Sequence, residues 1–481
     1  MESTNKTIDI NIIKQLFQKS ADIQFQEYTF KNSKVYFITC EAMIDGQLFN
    51  EVIVPNIQQL CESNESESLE KAIESGLHIP DIKKIGDKEE LITSVYRGNL
   101  LLYFEDEQLL YSSNISKKPN RNPEETKLEV MVKGPRDNFI EDIAVNIALI
   151  RKRAPTNSLC VEKMEIGKRS KTSVAILYFD DIANKDILNQ IKKQMANIDT
   201  DIIVSGDSLM ERINKDASLF PRTNYTGRAD FALQSLVRGR FLIFVDGVAY
   251  GVIVPINLFF LLKTGEDSEY PLAFSSVERL LRIVGLLIGM LLPAFWLALT
   301  TFHQNQLPLQ LLATIVLANT GLPLPTAMEM LIMLGMFELF REAGLRLPSV
   351  IAGTISVVGG LIVGDAAIRA GITSPAMVVI IAISTIATFT LVNQSLVTAV
   401  SLVRVIFILM TAALGLFGFF ISIYFLLVYL SSIRTFGVPY MDISTDLKWS
   451  TISKSLFRMP SKSYKERPTM LKTKDKTRSK D

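Results

Sequence analysis

Cysteine, histidine and tryptophan are scarce in this chain: three, two and two among 481 residues. The cysteines, Cys40, Cys61 and Cys160, are odd in number, lie far apart and form no C-x-x-C pair, which argues against a disulfide framework or a thiolate zinc site. The histidines, His78 and His303, stand alone, so neither an H-E-x-x-H motif nor a Ser-His-Asp set can be assembled. The expectation is therefore of no enzyme, no metal and no cofactor. Met1 to Ser20 are polar throughout and lack an apolar h-region, so no cleavable signal is expected and the front of the chain is placed in the cytosol.

The last shortage is of charge, and it is local. Residues 1–270 carry 33 Lys/Arg and 40 Asp/Glu, whereas residues 271–430 carry only 6 and 5; residues 431–481 then carry 12 and 5. A soluble domain cannot run so far with so few charges, because its surface must be solvated, but a segment dissolved in lipid can. Four uncharged stretches read as spans: Ile283 to Phe302, Leu347 to Gly364, Ala370 to Val403 and Val405 to Ile433. Within the third, the helix is expected from Pro375 to about Val392, because Asn393, Gln394 and Ser395 make a polar break. The piece from Leu307 to Phe340 is apolar but interrupted by Pro308, Gly321, Pro323 and Pro325. Proline removes a helical hydrogen bond, so this piece reads as a broken hairpin that either spans or re-enters. The basic end after Ser431, together with Arg279 and Arg282 before the first span, places both ends of the membrane region on the cytosolic side. No nucleic-acid partner is expected.

The front half alternates short apolar runs with amphipathic ones. Lys34 to Cys40, Leu48 to Val54, Leu100 to Phe104, Val174 to Phe179, Asp201 to Ser205 and Phe241 to Val245 read as strands. Asp9 to Lys19, Asp137 to Arg151, Asn184 to Asn197 and Ala229 to Val237 read as helices. The fold class is thus mixed α/β (α+β) in two subdomains, 1–120 and 121–270, with a polar linker at Asn114 to Glu125. A polytopic helical membrane domain follows at 271–433, then a basic cytosolic tail at 434–481. No internal repeat is visible.

Several motifs invite chemistry and mostly fail. Ile166 to Thr172 suggests a phosphate-binding loop, but the first glycine of that motif falls on Glu162. Asp180 and Asp181 read as a turn. In the membrane region, Ala352, Ser356, Gly360 and Gly364 recur every four residues, a face on which another helix can approach closely; Gly285 and Gly289 make a weaker pair of the same kind. Glu338 can pair with Arg341 three positions on, and Asp365 with Arg369 four positions on. Glu329 has no local cation. An ionisable group within a membrane segment is costly enough to mark a functional site, and a ring of such carboxylates would attract cations.

Longer motifs carry a resemblance. GPRDNFIEDIAVNIALIRKR (Gly134 to Arg153), IGKRSKTSVAILYFD (Ile166 to Asp180), FPRTNYTGRAD (Phe220 to Asp230), GRFLIFVDGVAYGVIVP (Gly239 to Pro255), FELFREAGLRLPSVIAG (Phe337 to Gly353) and KERPTMLKTKDK (Lys465 to Lys476) resemble the A subunit of the GerA family of spore germinant receptors. The family pattern has T-E-R-P-D where this chain has Thr226-Gly227-Arg228-Ala229-Asp230, so Arg228 and Asp230 are retained, and it has proline at Ala249. The resemblance implies a subunit of the inner spore membrane that senses nutrients together with a transporter-like B subunit and a lipoprotein C subunit. It also implies a homo-oligomer that provides an ion-conducting path. Candidate pore or gating residues are Glu329, Glu338, Gly321, Pro323, Pro325, Gly359 and Gly360; Ala352, Ser356 and Gly364 are packing candidates. A non-conducting scaffold, a secondary transporter and a sporulation-specific paralogue are the alternatives.

Overall fold

A computed structural model of the chain describes residues 9–31, 33–63, 69–117, 135, 137–214, 218–346, 362–441, 449–460 and 463–478. The chain divides into two compact units. The first comprises Met1–Asp216, Thr223–Pro255 and Tyr464–Asp481; the second comprises Ala217–Arg222 and Ile256–Ser463.

The first unit is mixed α/β and is built twice on one plan. Its first half runs α1 (Ile10–Leu16), β1 (Ile23–Phe30), β2 (Ser33–Cys40), α2 (Val54–Ser63), α3 (Leu69–Gly76), β3 (Lys83–Lys84), α4 (Lys88–Tyr96), β4 (Leu100–Phe104) and β5 (Leu109–Ser113). The second half runs α5 (Ile143–Arg153), β6 (Leu159–Ile166), β7 (Thr172–Phe179), α6 (Lys185–Ala196), α7 (Gly206–Ile213), β8 (Asn224–Thr226), α8 (Ala229–Val237), β9 (Phe241–Val245) and β10 (Gly251–Val254). The sheets are ordered β1-β2-β4-β5-β3 and β6-β7-β9-β10-β8, every pairing antiparallel. The element sequence and strand order are the same in both. The two copies therefore share a topology that no repeat in the sequence disclosed.

Burial on both sheet faces explains why the central strands are apolar without alternation. In the first half, Ile38, Leu101 and Tyr103 face a core made with Ile13, Phe17, Leu91 and Val95, whereas Phe37, Leu102 and Phe104 face one made with Phe49, Ile53, Ile57 and Ile73. That arrangement makes the runs at Leu100–Phe104 and Phe241–Val245 legible. It also corrects two expectations. Leu48 to Val54 is helical, not extended, because the Asp45 carboxylate accepts from the N–H groups of Gln47 and Leu48 and starts a helical turn. Phe49, Ile53, Ile57 and Leu60 then fall on one buried side. Asp201 to Ser205 joins no sheet: the Thr200 and Asp201 carbonyls accept from Lys168, Arg169 and Ser170, and Ile202 and Val204 are exposed. The expected linker lies mostly outside the described residues.

The halves are joined edge to edge. Val161 of β6 exchanges backbone hydrogen bonds with Lys19 and Ala21, just before β1, at 3.0 Å each. Beneath that junction Arg151 is fully buried. Its Nε and Nη2 donate to the Asp22 carboxylate at 2.7 and 2.9 Å, and its Nη1 donates to the Leu159 carbonyl at 2.7 Å. The guanidinium also stacks 4.1 Å from the centre of the Tyr96 ring. Removing one partner of a buried ion pair strands the other charge. Arg151→Met is therefore expected to destabilise the first unit by about 3–5 kcal/mol, read as a lowered urea midpoint. The double change Arg151→Met with Asp22→Leu is expected to recover most of that loss.

The second unit is helical: α9 (Leu272–Thr301), α10 (Leu309–Asn319), α11 (Thr326–Arg346), α12 (Gly364–Arg369), α13 (Pro375–Thr388), α14 (Gln394–Ser432) and α15 (Trp449–Leu456). Among the described residues, two helices, α9 and α14, are long and apolar enough to cross a membrane; α10 and α13 are apolar but shorter. The second expected span, and with it Ala352, Ser356, Gly359 and Gly360, lies almost wholly outside the described residues. The third begins at Pro375 as expected, with Ser374 as its cap, and the polar break is the start of α14, where the Asn393 side chain accepts from Leu396 N–H.

The fourth span departs from expectation at both places that matter. It starts at Gln394, so Arg404 lies inside it, and its backbone breaks at Gly415, where φ is 62° and ψ is −142°. Phe407 and Phe419 have their ring centres 6.2 Å apart across that break. A continuous helix would separate residues twelve apart by about 18 Å. Gly418 lies directly against the Met410 carbonyl, with no room for a Cβ. The element is thus two helical arms meeting at a sharp bend, and the left-handed φ explains the glycine.

Candidate functional site

The second unit buries several of its few charges. Arg404, on the first arm of α14, has a side chain only 1% exposed. Its Nη1 donates to Ser384 Oγ of α13 at 3.0 Å, and Ser384 Oγ donates in turn to the Gly289 carbonyl of α9 at 2.9 Å. Its Nη2 lies 3.4 Å from Ser401 Oγ and 3.8 Å from Glu338 Oε2. Arg341 of α11 donates to Ser401 Oγ at 2.9 Å and forms an ion pair with Glu338, as the three-residue spacing predicts. One carboxylate is thus shared by two guanidinium groups, and the Nε of each is buried without an acceptor among the described residues. Four helices meet at this cluster.

Glu329, one turn into α11, is buried and, among the described residues, has no cation beside it. Thr373 Oγ1 donates to its carboxylate at 2.8 Å, and Ser374 N–H donates at 2.6 Å. Ser374 caps α13, so the carboxylate sits at the positive end of a helix of 14 residues. A helix N-terminus with free N–H groups stabilises an anion in place of a counter-charge. Glu329 and Glu338 therefore occupy separate sites.

The remaining candidates scatter. Gly321 has φ of +90° in the turn between α10 and α11, which also holds Pro323, and a Cβ there would meet nothing. The Pro325 carbonyl accepts the first N–H groups of α11 from Met328 and Glu329. Gly364 opens α12 in ordinary contact with Val378, so it is not a close-approach glycine. The weaker pair is the closer one: a Cβ on Gly285 would collide with Thr390 and the Ala387 carbonyl, and one on Gly289 would lie 2.7 Å from Thr388 Cγ2. Asp365 and Arg369 form an exposed pair at 2.7 Å. In the first unit, Arg228 grips Asp230 through Nε and Nη2 at 3.0 and 2.7 Å and stands at the start of α8. Ala229 is the first residue of that helix, where proline and alanine are both accommodated. Gly227 acts through its carbonyl, which accepts from Phe139 N–H.

Arg404 was missed because in the sequence it only separates two uncharged runs. The signal was there: a lone cation whose flanks are apolar on both sides.

A second charged knot fixes the start of α9. Asp267 is buried and accepts from Arg279 Nε at 2.6 Å, Arg282 Nη1 at 2.9 Å and Thr264 Oγ1 at 2.9 Å. Arg279 also donates to the Phe457 carbonyl, and Arg458 donates to the Tyr270 and Ser268 carbonyls, tying the end of α15 to α9.

The chain matches the family described as Bacillus/Clostridium GerA spore germination protein over residues 11–470, and it belongs to that family. It is 37% identical over 481 residues to spore germination protein XA of Bacillus anthracis, covering 98% of each chain. It is 31% identical to spore germination protein KA of Bacillus subtilis (strain 168), covering 95% of this chain and 84% of that one. It is also 29% identical to the membrane protein YfkQ of the same strain, covering 97% and 91%. Among solved structures, the N-terminal domain of the A subunit of the Bacillus megaterium spore germinant receptor GerK3 matches 51% of this chain and 92% of that one, at 25% identity and a TM-score of 0.39.

Two outcomes follow from this geometry. Burial pushes the Asp267 carboxyl up, but Arg279 and Arg282 outweigh it and hold the group below the usual carboxylate range. A depressed folded-state pKa means the stabilisation is complete above an unfolded value of about 3.9 and is lost as pH falls through the folded value. Amide hydrogen exchange at the start of α9, corrected for its intrinsic pH dependence, is accordingly expected to stay slow at neutral pH and to quicken once pH falls below the usual carboxylate range, and Asp267→Asn is expected to make it fast at neutral pH. Gly289→Leu is expected to cost about 1–3 kcal/mol by overpacking against α13, read as a lower melting temperature in detergent, whereas Gly321→Ala is expected to cost less because only its φ is strained.

Proposed function

We propose that this chain is the membrane-embedded A subunit of a nutrient-responsive spore germinant receptor. On this reading it assembles with copies of itself and with B and C subunits, and its helical unit contributes a gated ion path. The observation that carries the reading is the Arg404–Glu338–Arg341 cluster, held among helices whose outward residues are apolar. Leu280, Leu281, Leu287, Phe295, Leu402, Leu409, Phe417 and Phe420 are all substantially exposed. Outward leucine and phenylalanine with inward arginine is the inverse of a water-soluble bundle and suits a lipid surround. Ionisable groups kept inside at such cost mark a place where charge is handled.

The contacts also support a multi-pass topology. Arg279 and Arg282 favour the cytosolic side for the start of α9. Gly285 and Gly289 lie against Thr390 and Thr388, so α13 runs antiparallel to α9 and returns inward. Glu329 beside Ser374 and Glu338 near Arg404, which itself reaches Ser384, make α11 run with α13. Arg341 and Arg346 then fall at the inner end of α11, as the distribution of cations requires. The first arm of α14 leads outward and the second leads back, with Gly415 at the far side beside Phe302. Both the α/β unit and the basic end are cytosolic on this reading.

Gating candidates are the Gly321–Pro325 turn, Glu329, which ties α11 to the start of α13, and Glu338, whose distance to Arg404 changes if α11 moves against α14. A scaffold reading draws on one specific observation: Glu329 is satisfied within its own chain. The two readings separate on Glu329→Gln. A conducting subunit is expected to change the rate or selectivity of nutrient-triggered ion release from spores at unchanged protein level. A change in protein abundance alone would leave the scaffold. Arg404→Gln is expected to abolish release, and unaltered ion release from spores carrying it would overturn the conducting role.

A further inference from the structure

The described end of the chain is built into the α/β unit. Met470, Leu471 and Thr473 are buried, Asn184 Nδ2 donates to the Leu471 carbonyl at 3.3 Å, and Lys474 N–H donates to the Ile182 carbonyl at 2.9 Å. Gly239 meets the Thr473 methyl group so closely that a Cβ would have no space, and its φ of +90° suits glycine as well. Arg467 is the keystone. Its Nε donates to the Val237 carbonyl at 2.9 Å, its Nη1 donates to the Asp475 carboxylate at 2.7 Å, and its own N–H donates to the Lys476 carbonyl at 2.9 Å.

Val237 is the last residue of α8, and its carbonyl is one of those that a helix leaves without an internal partner. A guanidinium there answers both the missing donor and the negative end of the helix dipole. At the other end of α8, Arg228 and Asp230 form their bidentate pair and the Gly227 carbonyl is held by Phe139. One short helix is therefore gripped at its start by the Arg228–Asp230 motif and at its finish by residues more than two hundred positions further on. Between those residues and α8 the chain traces the whole helical unit.

We propose that Tyr464–Arg478 is a strap: it hands movement of α15, the helix it follows in the chain, to α8 and, through α8, to the Arg228–Asp230 motif. Its hold is light enough to release. It buries two large apolar side chains, and most of its other residues, including Lys465, Lys472, Lys474 and Lys476, are exposed. The Asp475 carboxyl is drawn down to about 2, first by the Thr477 hydroxyl and N–H and then by Arg467, so the Arg467 clasp persists across the physiological range. The strap's consequence for germination rests on the receptor reading above; its attachment does not.

The test is amide hydrogen exchange on the full chain in detergent, comparing the natural sequence with Arg467→Ala and with Leu471→Asp. Exchange over Ala229–Gly239 is expected to rise about tenfold or more in both variants, with β1–β5 unchanged and with faster tryptic cleavage after Lys472. Unchanged exchange over α8, or a rise spread evenly over both sheets, overturns the strap. Nutrient-triggered release is then measured in spores carrying Arg467→Ala, Arg467→Lys or no substitution. Loss in the first with partial recovery in the second is expected. Normal release in a variant whose α8 exchanges fast overturns the transmission. Glu329→Gln is expected to alter release without touching exchange over α8, so the strap and the receptor reading fail separately.

Discussion

A guanidinium cannot be placed among aliphatic side chains unless acceptors are brought to it, and the helical unit is arranged around meeting that demand for Arg404. Ser384 and Ser401 supply hydroxyl oxygens, Glu338 supplies a charge, and Gly289 permits α13 to lie close enough to α9 for Ser384 to serve both neighbours. Among the described residues, Glu338 lies nearer to Arg341, and neither Nε atom meets an acceptor. Glu338 and Arg341 ride on the same helix, so a displacement of α11 against α14 would change the distance from that carboxylate to Arg404 and leave its pairing with Arg341 intact. Glu329 solves the opposite problem by another route, using the N-terminus of α13 instead of a cation.

The α/β unit answers a different constraint. Two copies of one topology have to act as one body, and the join is made where each would otherwise be vulnerable. The β6 edge is closed by the chain at Lys19–Ala21, which removes a template for unwanted strand pairing. Arg151 then ties α5 of the second copy to Asp22 of the first, where both groups are shielded from water. Burial pushes each of the three thiols up, Cys61 and Cys160 to about 11, which disfavours the nucleophilic thiolate at neutral pH.

How much of this could be read in advance divides along physical lines. Leu100–Phe104, Phe241–Val245 and Ala229–Val237 stood out because each is uniform in character and bounded by glycine or charge. β1 and β6 did not, because an edge strand mixes buried and exposed residues; Glu162, Lys163 and Glu165 disguise β6. The apolar helices were visible from the shortage of charge, yet the bend at Gly415 was hidden, since one glycine in a leucine-rich run carries no mark of its φ. Glu338 with Arg341 was legible because three-residue spacing is local. Arg404 with Ser384, Glu329 with Thr373 and Arg467 with Val237 were not, because each depends on which helices the tertiary fold brings together. The docking of residues 464–478 was the least legible, since eight of those residues are charged and read as a solvated end.

The doubled plan of the α/β unit acquires a meaning when set beside the end of the chain. In the second copy, α8 finishes against Arg467, a residue delivered from beyond the apolar helices. In the first copy the equivalent helix, α4, makes the same closing turn, its Arg97 and Gly98 N–H groups bonding back onto Thr93, Ser94 and Val95 as those of Arg238 and Gly239 do onto Ser235 and Leu236 after α8, so Arg467 is an addition to that turn. The two halves of like topology are thus unequal: the second copy carries on α8 a segment from beyond the apolar helices, and the first copy, among the described residues, carries none on α4. Such a pair can register a difference, with the unloaded copy serving as the fixed arm of a balance.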